Sequence, residues 1–300
     1  MNNKEAQATA GRETALPTLP GREVFVTREK IYPWLYAAAI LLGELLVVKD
    51  ARAGLLVHML ILSVLLVQAA FSSSSSNRSR PGTAENEETG EGARKRMIAW
   101  HPGARFYLTL TLAPLIRILS LSLPLAVFPL VYWYAVVSLP LLVGAVAAAS
   151  LSGYRPRELG LGWGNPFAQL LIGTLGVPLG LAEYFILHPQ PLTPTADLAV
   201  ILLPALILLV CTGFAEEFIF RGIMQKAAAD LLGRKMSLVL VSFIFAILHI
   251  THLSAVDVFF VFGVACFFST LVYRTGSLFG VTLAHGLTNI TMYLFWPFIF

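Results

Sequence analysis

The chain has 300 residues, of which 57% are hydrophobic and only 13% charged, with a formal net charge of +4 and a mean hydropathy of +0.74. Soluble domains carry about 25% charged residues, so this composition excludes a soluble domain with a single anchor and points to an all-α polytopic membrane protein. No dense basic patch with interleaved aromatics is present, which argues for the lipid bilayer rather than nucleic acid as the chain's partner.

Residues 1–30 read as a polar N-terminal tail of mixed charge, with Pro17 and Pro20 and no apolar core near Met1 of the kind a signal peptide has. Two apolar segments follow within 31–71, the first opened by Tyr32, Trp34 and Tyr36, aromatic types that favour the membrane interface. Glu44 lies inside the first segment and is read as a snorkelling or paired group near Lys49 and Arg52. Residues 72–105 begin with five serines, continue through Arg78, Arg80, Glu85, Glu87 and Glu88, and reach the basic cluster Arg94-Lys95-Arg96. Such a stretch buries too little apolar surface to fold and reads as a disordered linker.

Further apolar segments are expected near 106–127, 129–151, 166–187, 197–231, 236–251, 255–273 and 277–298, which brings the total to about nine spans at roughly 20 residues each. Residues 106–194 are read as accessory transmembrane helices, ahead of a C-terminal group of spans at 195–300. Basic residues alternate between loops. Arg94 to Arg96, Arg155 with Arg157, Lys226 with Arg234 and Lys235, and Arg274 fall on one set; the loops near 128, 188–196 and 252–254 carry none. Only Lys49 and Arg52 break this alternation. The positive-inside rule then sets the N-terminus in the cytoplasm, and the short loops and missing targeting peptide point to a prokaryotic cytoplasmic membrane. No internal repeat of the inverted-repeat transporter kind is seen.

Ionisable groups within membrane spans are costly and are kept where they pair or perform a function. The run Gly213-Phe214-Ala215-Glu216-Glu217-Phe218-Ile219-Phe220-Arg221-Gly222 holds three of them. Successive helical residues are about 100° apart and i,i+4 pairs share a face. Glu217 and Arg221 are therefore expected to pair, which leaves Glu216 for another partner. The next segment ends in Phe245-Ala246-Ile247-Leu248-His249, and the last contains His285-Gly286-Leu287-Thr288-Asn289, with Gly280 and Gly286 leaving room for close helix approach. At 1.5 Å per residue, counted from the basic side, Glu216 lies about 22 Å deep, His249 about 21 Å, His285 about 12 Å and Asn289 about 18 Å. Four polar groups on three helices thus fall in one layer. Taken singly, each motif also suits a structural salt bridge, a core histidine or an interhelical hydrogen bond.

The three motifs together, EExxxR at 216–221, FxxxH at 245–249 and HxxxN at 285–289, resemble the CPBP family of CAAX proteases and bacteriocin-processing enzymes, also called the Abi family. The resemblance covers roughly 195–298. It implies an intramembrane glutamic endopeptidase with a catalytic helix bundle in the C-terminal half, acting on a membrane-embedded or lipid-anchored protein or peptide. By that likeness Glu216 and His249 activate water, His285 and Asn289 bind the oxyanion, and Glu217, Arg221 and Phe245 support them. Burial raises a carboxylate's proton affinity toward that of a usable base, and a preset Asn amide and imidazole can donate to a tetrahedral oxyanion.

No cofactor is expected. Zinc is the alternative that a glutamate and two histidines would suit, although HExxH does not occur. A further alternative is a non-proteolytic member with an immunity, scaffold or transport role, since resemblance does not by itself carry catalysis. Arg117, inside an apolar span, needs a partner, with Glu183 and Glu44 as candidates. His58, His101, His188 and His252 are read as interfacial, and Glu183 as a possible substrate contact. Cys211 and Cys266 are read as small buried hydrophobes.

Overall fold

The computed structural model describes the backbone of residues 20–78 and 101–300, with side chains from 30–73 and 101–300. Nine helical paths run through it: α1 (Pro20–Lys49), α2 (Ala51–Arg78), α3 (Pro102–Ser122), α4 (Leu130–Leu151), α5 (Pro166–Leu187), α6 (Leu198–Leu232), α7 (Arg234–Ile247), α8 (Ala255–Thr275) and α9 (Phe279–Leu294). Among the described residues, eight are long and apolar enough to cross a membrane. The exception is α9, which has 16 residues and continues after Leu294 into a 3₁₀ turn at Trp296–Phe298. The all-α polytopic expectation therefore holds.

Two boundaries differ from the sequence reading. α1 begins at Pro20, so 20–30 is helix rather than tail; proline suits a first helical position because its missing N–H would be unpaired there anyway. α2 runs on through Ser72–Ser76 to Arg78. Serines are tolerated in this last turn, where the Ser73 hydroxyl donates to the Ala70 carbonyl at 2.7 Å. At the other end of the expected linker, α3 opens at Pro102 with His101 as its N-cap. The remainder of that linker, 79–100, lies outside the described residues, as does the tail before Pro20.

Prolines explain two interruptions. α3 breaks at Thr111 because Pro114 cannot donate to the Leu110 carbonyl, and α5 breaks at Leu175 because Pro178 cannot donate to Thr174. In α6 the irregularity is of another kind. Leu208–Phe214 and Phe218–Met224 are π-helical, and they flank a single α turn at Ala215–Glu217.

α9 is the hub, packed against α5 and the first π-helical segment of α6. Small residues allow this. A Cβ on Gly176 would come within 2.2 Å of the Ala284 carbonyl oxygen, and one on Gly213 within 2.9 Å of the Gly286 backbone. Where lipid is as apolar as the side chains, such close backbone packing is what holds helices together.

The two ends of the bundle are tied by loop contacts. Leu278 N–H donates to the Gly160 carbonyl at 2.9 Å, Leu161 and Ser277 form an antiparallel bridge, and Trp163 stacks on Phe279 at 4.4 Å. These contacts join two of the basic loops at one end. Leu192 N–H bonds the Tyr293 carbonyl at 3.2 Å and joins a loop without basic residues to the far end of α9.

Candidate active site

The four expected catalytic side chains and the three supporting ones line one cavity of about 120 Å³, to which α4, α5, α6, α8, α9 and the end of α7 all contribute. Each motif reaches it by a different local route.

In α6 the π-helical stretches flank Glu216 and Glu217. Such i→i+5 widening is rare and recurs at functional sites, where it turns side chains out of regular register. Glu217 is fully buried and pairs with Arg221, Nη1 to Oε1 at 3.0 Å, as i,i+4 spacing predicts. The same oxygen accepts from His285 Nδ1 at 2.9 Å. Glu216 keeps 30% of its side chain exposed, and its Oε2 lies 3.8 Å from His285 Nε2. The two carboxylates thus flank one imidazole, where regular helical geometry alone had turned them apart. Arg221 also lies over the Phe245 ring, 4.2 Å from its centroid, so the phenyl face shares in holding a buried cation.

α7 ends at Ile247, and His249 follows with φ −90° and ψ 0°. That sparsely populated bridge region is where many active-site residues sit. Its Nδ1 lies 2.9 Å from the Phe245 carbonyl. A carbonyl only accepts, so Nδ1 carries the proton and Nε2 holds the lone pair. Phe245 therefore supports the site twice, through its ring under Arg221 and through its carbonyl at His249.

On α9, Asn289 Nδ2 donates to Thr212 Oγ1 at 2.8 Å, which fixes the amide and leaves its second N–H free. The Thr212 hydroxyl in turn donates to the Leu208 carbonyl.

Several lining residues escaped the sequence reading. Thr212 stands four residues before Glu216 in an apolar run, and that spacing was the available signal. His252, read as interfacial and exposed in the structure, also lines the cavity: it closes the 3₁₀ turn Ile250–His252, and its Nδ1 meets Asp257 Oδ2 at 2.9 Å. Its ring lies 5.2 Å from that of His249. Glu183, read as a possible substrate contact, lines the cavity together with Tyr134 and Tyr293. His58 is a correction to the interfacial group. It is fully buried beside Glu44, Nε2 to Oε1 at 3.3 Å. Glu44 pairs with Arg117 rather than with Lys49 or Arg52. Both cysteines are free thiols, and Cys211 is buried. Among the described residues, no group of three or more His, Cys, Asp or Glu side chains is arranged to hold a metal ion.

Residues 198–291 match the family model described as "Type II CAAX prenyl endopeptidase Rce1-like". The expected likeness to CAAX proteases is borne out over this segment, which spans α6 to nearly the end of α9 and contains all three motifs. The match supports a CAAX-protease-type hydrolase in an integral membrane setting. Comparison with curated proteins and with solved structures gave no match.

Proposed function

We propose that this protein is an intramembrane endopeptidase that hydrolyses a peptide bond in a membrane-embedded or lipid-anchored protein or peptide. Glu216 takes a proton from a water whose other hydrogen is directed at His249 Nε2. The water oxygen attacks the scissile carbonyl, and the developing oxyanion receives the free Asn289 N–H and a proton-bearing His285 Nε2. Glu217 accepts from His285 Nδ1 and balances the imidazolium. Collapse of the tetrahedral intermediate breaks the C–N bond, and Glu216 returns its proton to the leaving amine.

The observation that carries this reading is the asymmetry of the two glutamates. Glu217 is fully buried and engaged by Arg221 and His285, whereas Glu216 alone of the pair presents exposed surface to the cavity. A general base needs access to water, and an orienting group does not.

The test uses the purified protein in liposomes with an internally quenched, lipid-anchored peptide. Glu216→Gln and His249→Ala are each expected to lower turnover about 10²–10⁴-fold, the usual worth of a positioned acid–base group. Unchanged cleavage by both variants, correctly inserted, overturns the assignment. A chelator is expected to leave turnover intact; stoichiometric zinc required for activity would replace this mechanism with a metal-assisted one. Comparison of membrane and secreted proteomes between wild type and Glu216→Gln then identifies the substrate.

A further inference from the structure

The matching segment begins at 198, yet the turn that carries His249 is held from outside it. Arg117 on α3 donates from Nη2 to the Leu248 carbonyl at 2.8 Å, one residue before His249, and lies 3.5 Å from Thr251 Oγ1. Leu248 is the C-cap of α7, so its carbonyl lacks a partner within the helix. A guanidinium from another helix supplies one. Arg117 is held in turn by Glu44 on α1: Nε donates to Oε1 at 2.9 Å, and Nη2 lies 2.7 Å from Oε2. Glu44 is fully buried, and His58 on α2 stands at 3.3 Å from its Oε1.

Depth agrees with this chain of contacts. At 1.5 Å per residue, Glu44 lies about 21 Å along α1 from Lys30 and Arg117 about 22 Å along α3 from Pro102, the layer already found for His249. Burying a carboxylate and a guanidinium there is expensive, and an apolar pair of similar size is often as stable or more so. Simple cohesion of the bundle does not account for choosing the charged pair. What the pair meets near the site is the turn that carries His249, at the Leu248 carbonyl and the Thr251 hydroxyl.

We infer that Glu44 and Arg117 are positioning residues: they clamp the Leu248 carbonyl and so fix the turn that aims His249 at the reacting water. This rests on the proteolytic reading above. It also gives α1 and α3, which lie outside the matching segment, a part in catalysis.

Four variants and two readouts test it. Glu44→Gln keeps the shape and removes the charge. Arg117→Lys keeps the charge but loses the planar fork that reaches Glu44 and the carbonyl at once. The Glu44→Leu/Arg117→Met double variant removes the pair without stranding a buried charge and is the one expected to insert normally. Hydrogen exchange of the 244–254 backbone is measured in detergent-solubilised protein, and kcat and KM on the quenched lipid-anchored peptide. The clamp predicts faster exchange confined to this turn and a fall in kcat of about 10–100-fold, the range that misplacing a catalytic group brings, with KM within about twofold. Glu44→Asp is expected to recover part of the loss. Unchanged exchange and kcat in the folded double variant overturn the clamp. If wild type fails to cleave the peptide, or Glu216→Gln still cleaves it, the proteolytic reading falls and exchange alone judges the clamp.

Discussion

At the scale of single residues, Asn289 and His249 are each held by one neighbour and left with one free function. Asn289 spends one N–H on Thr212 and keeps the other; His249 spends Nδ1–H on Phe245 and keeps the Nε2 lone pair. This division gives a graded prediction. On the proposed mechanism Asn289→Ala removes an oxyanion donor, and it is expected to lower kcat about 10²–10³-fold. Thr212→Val removes only the acceptor that orients the amide, and a loss of about tenfold is expected, with Asn289→Ala in the same background adding less than it does alone because the two act as a unit. Steady-state kinetics on the two single variants and the double variant check this; full additivity would separate Thr212 from the oxyanion site. Tyr154, in the loop after α4, shows the same economy outside the membrane. Burial, with the Asp230 carboxylate beside it, pushes its phenol well above the ordinary range, so the hydroxyl remains a donor to Asp230 at 2.9 Å.

At the scale of elements, the spans were legible because runs of about 20 apolar residues have few alternatives in a chain of this composition. The Glu217–Arg221 pair was legible from i,i+4 spacing, and the common depth of Glu216, His249, His285 and Asn289 from simple counting. Other features were hidden for identifiable reasons. Regular helical angles place Glu216 and Glu217 about 100° apart, but the π-helical segments break that rule, and nothing in an apolar run announces an extra residue per turn. His252 reads as interfacial because it lies five residues past the end of α7, and only the 3₁₀ turn returns it to the cavity. Arg117 needed a partner inside its apolar span, and Glu44, 73 residues away, was one of its two candidates; what stayed hidden was His58, 14 residues from Glu44 and buried beside it. The glycines give a prediction at this scale. A Cβ on Gly213 would meet Thr282 O at 2.8 Å and the Gly286 Cα at 2.9 Å, backbone atoms that cannot swing aside. Gly213→Ala is expected to push α6 off α9, with a cost of about 1–3 kcal/mol and a loss of turnover as Glu217 leaves His285. A thermal melt and a cleavage assay on one preparation check both parts; unchanged values in both would show that the contact yields freely.

At the scale of the whole molecule, the loop contacts sort the two ends. The Gly160–Leu278 bond joins segments next to Arg155, Arg157 and Arg274, whereas the Leu192–Tyr293 bond lies in a loop without lysine or arginine. The positive-inside rule predicts that the first end is cytoplasmic. In a variant lacking Cys211 and Cys266, a single cysteine at Gly153 or Gly276 is expected to react with an impermeant maleimide only after the membrane is opened, and one at Pro191 to react in intact cells. The reverse pattern would invert the molecule and send substrate to the site from the other side. The molecule is also less divisible than its family match. α1 and α3 reach the His249 turn through Glu44 and Arg117, so a fragment cut at 198 would keep every motif residue and lose a hold on one of them.

The widened turns of α6 carry a consequence for how this protein tolerates changes in length. Elsewhere along a membrane span, a residue gained or lost near a loop shifts the boundary and little else. Between Leu208 and Phe214 the chain holds more residues per turn than an α-helix needs. Deleting one, such as the lipid-facing Val210, would let the helix relax into its commoner form. It would also swing Glu216 and everything after it through about 100° relative to what precedes them. The spare residue works as a spacer: the span would grow more regular by losing it, and the carboxylates would no longer face His285.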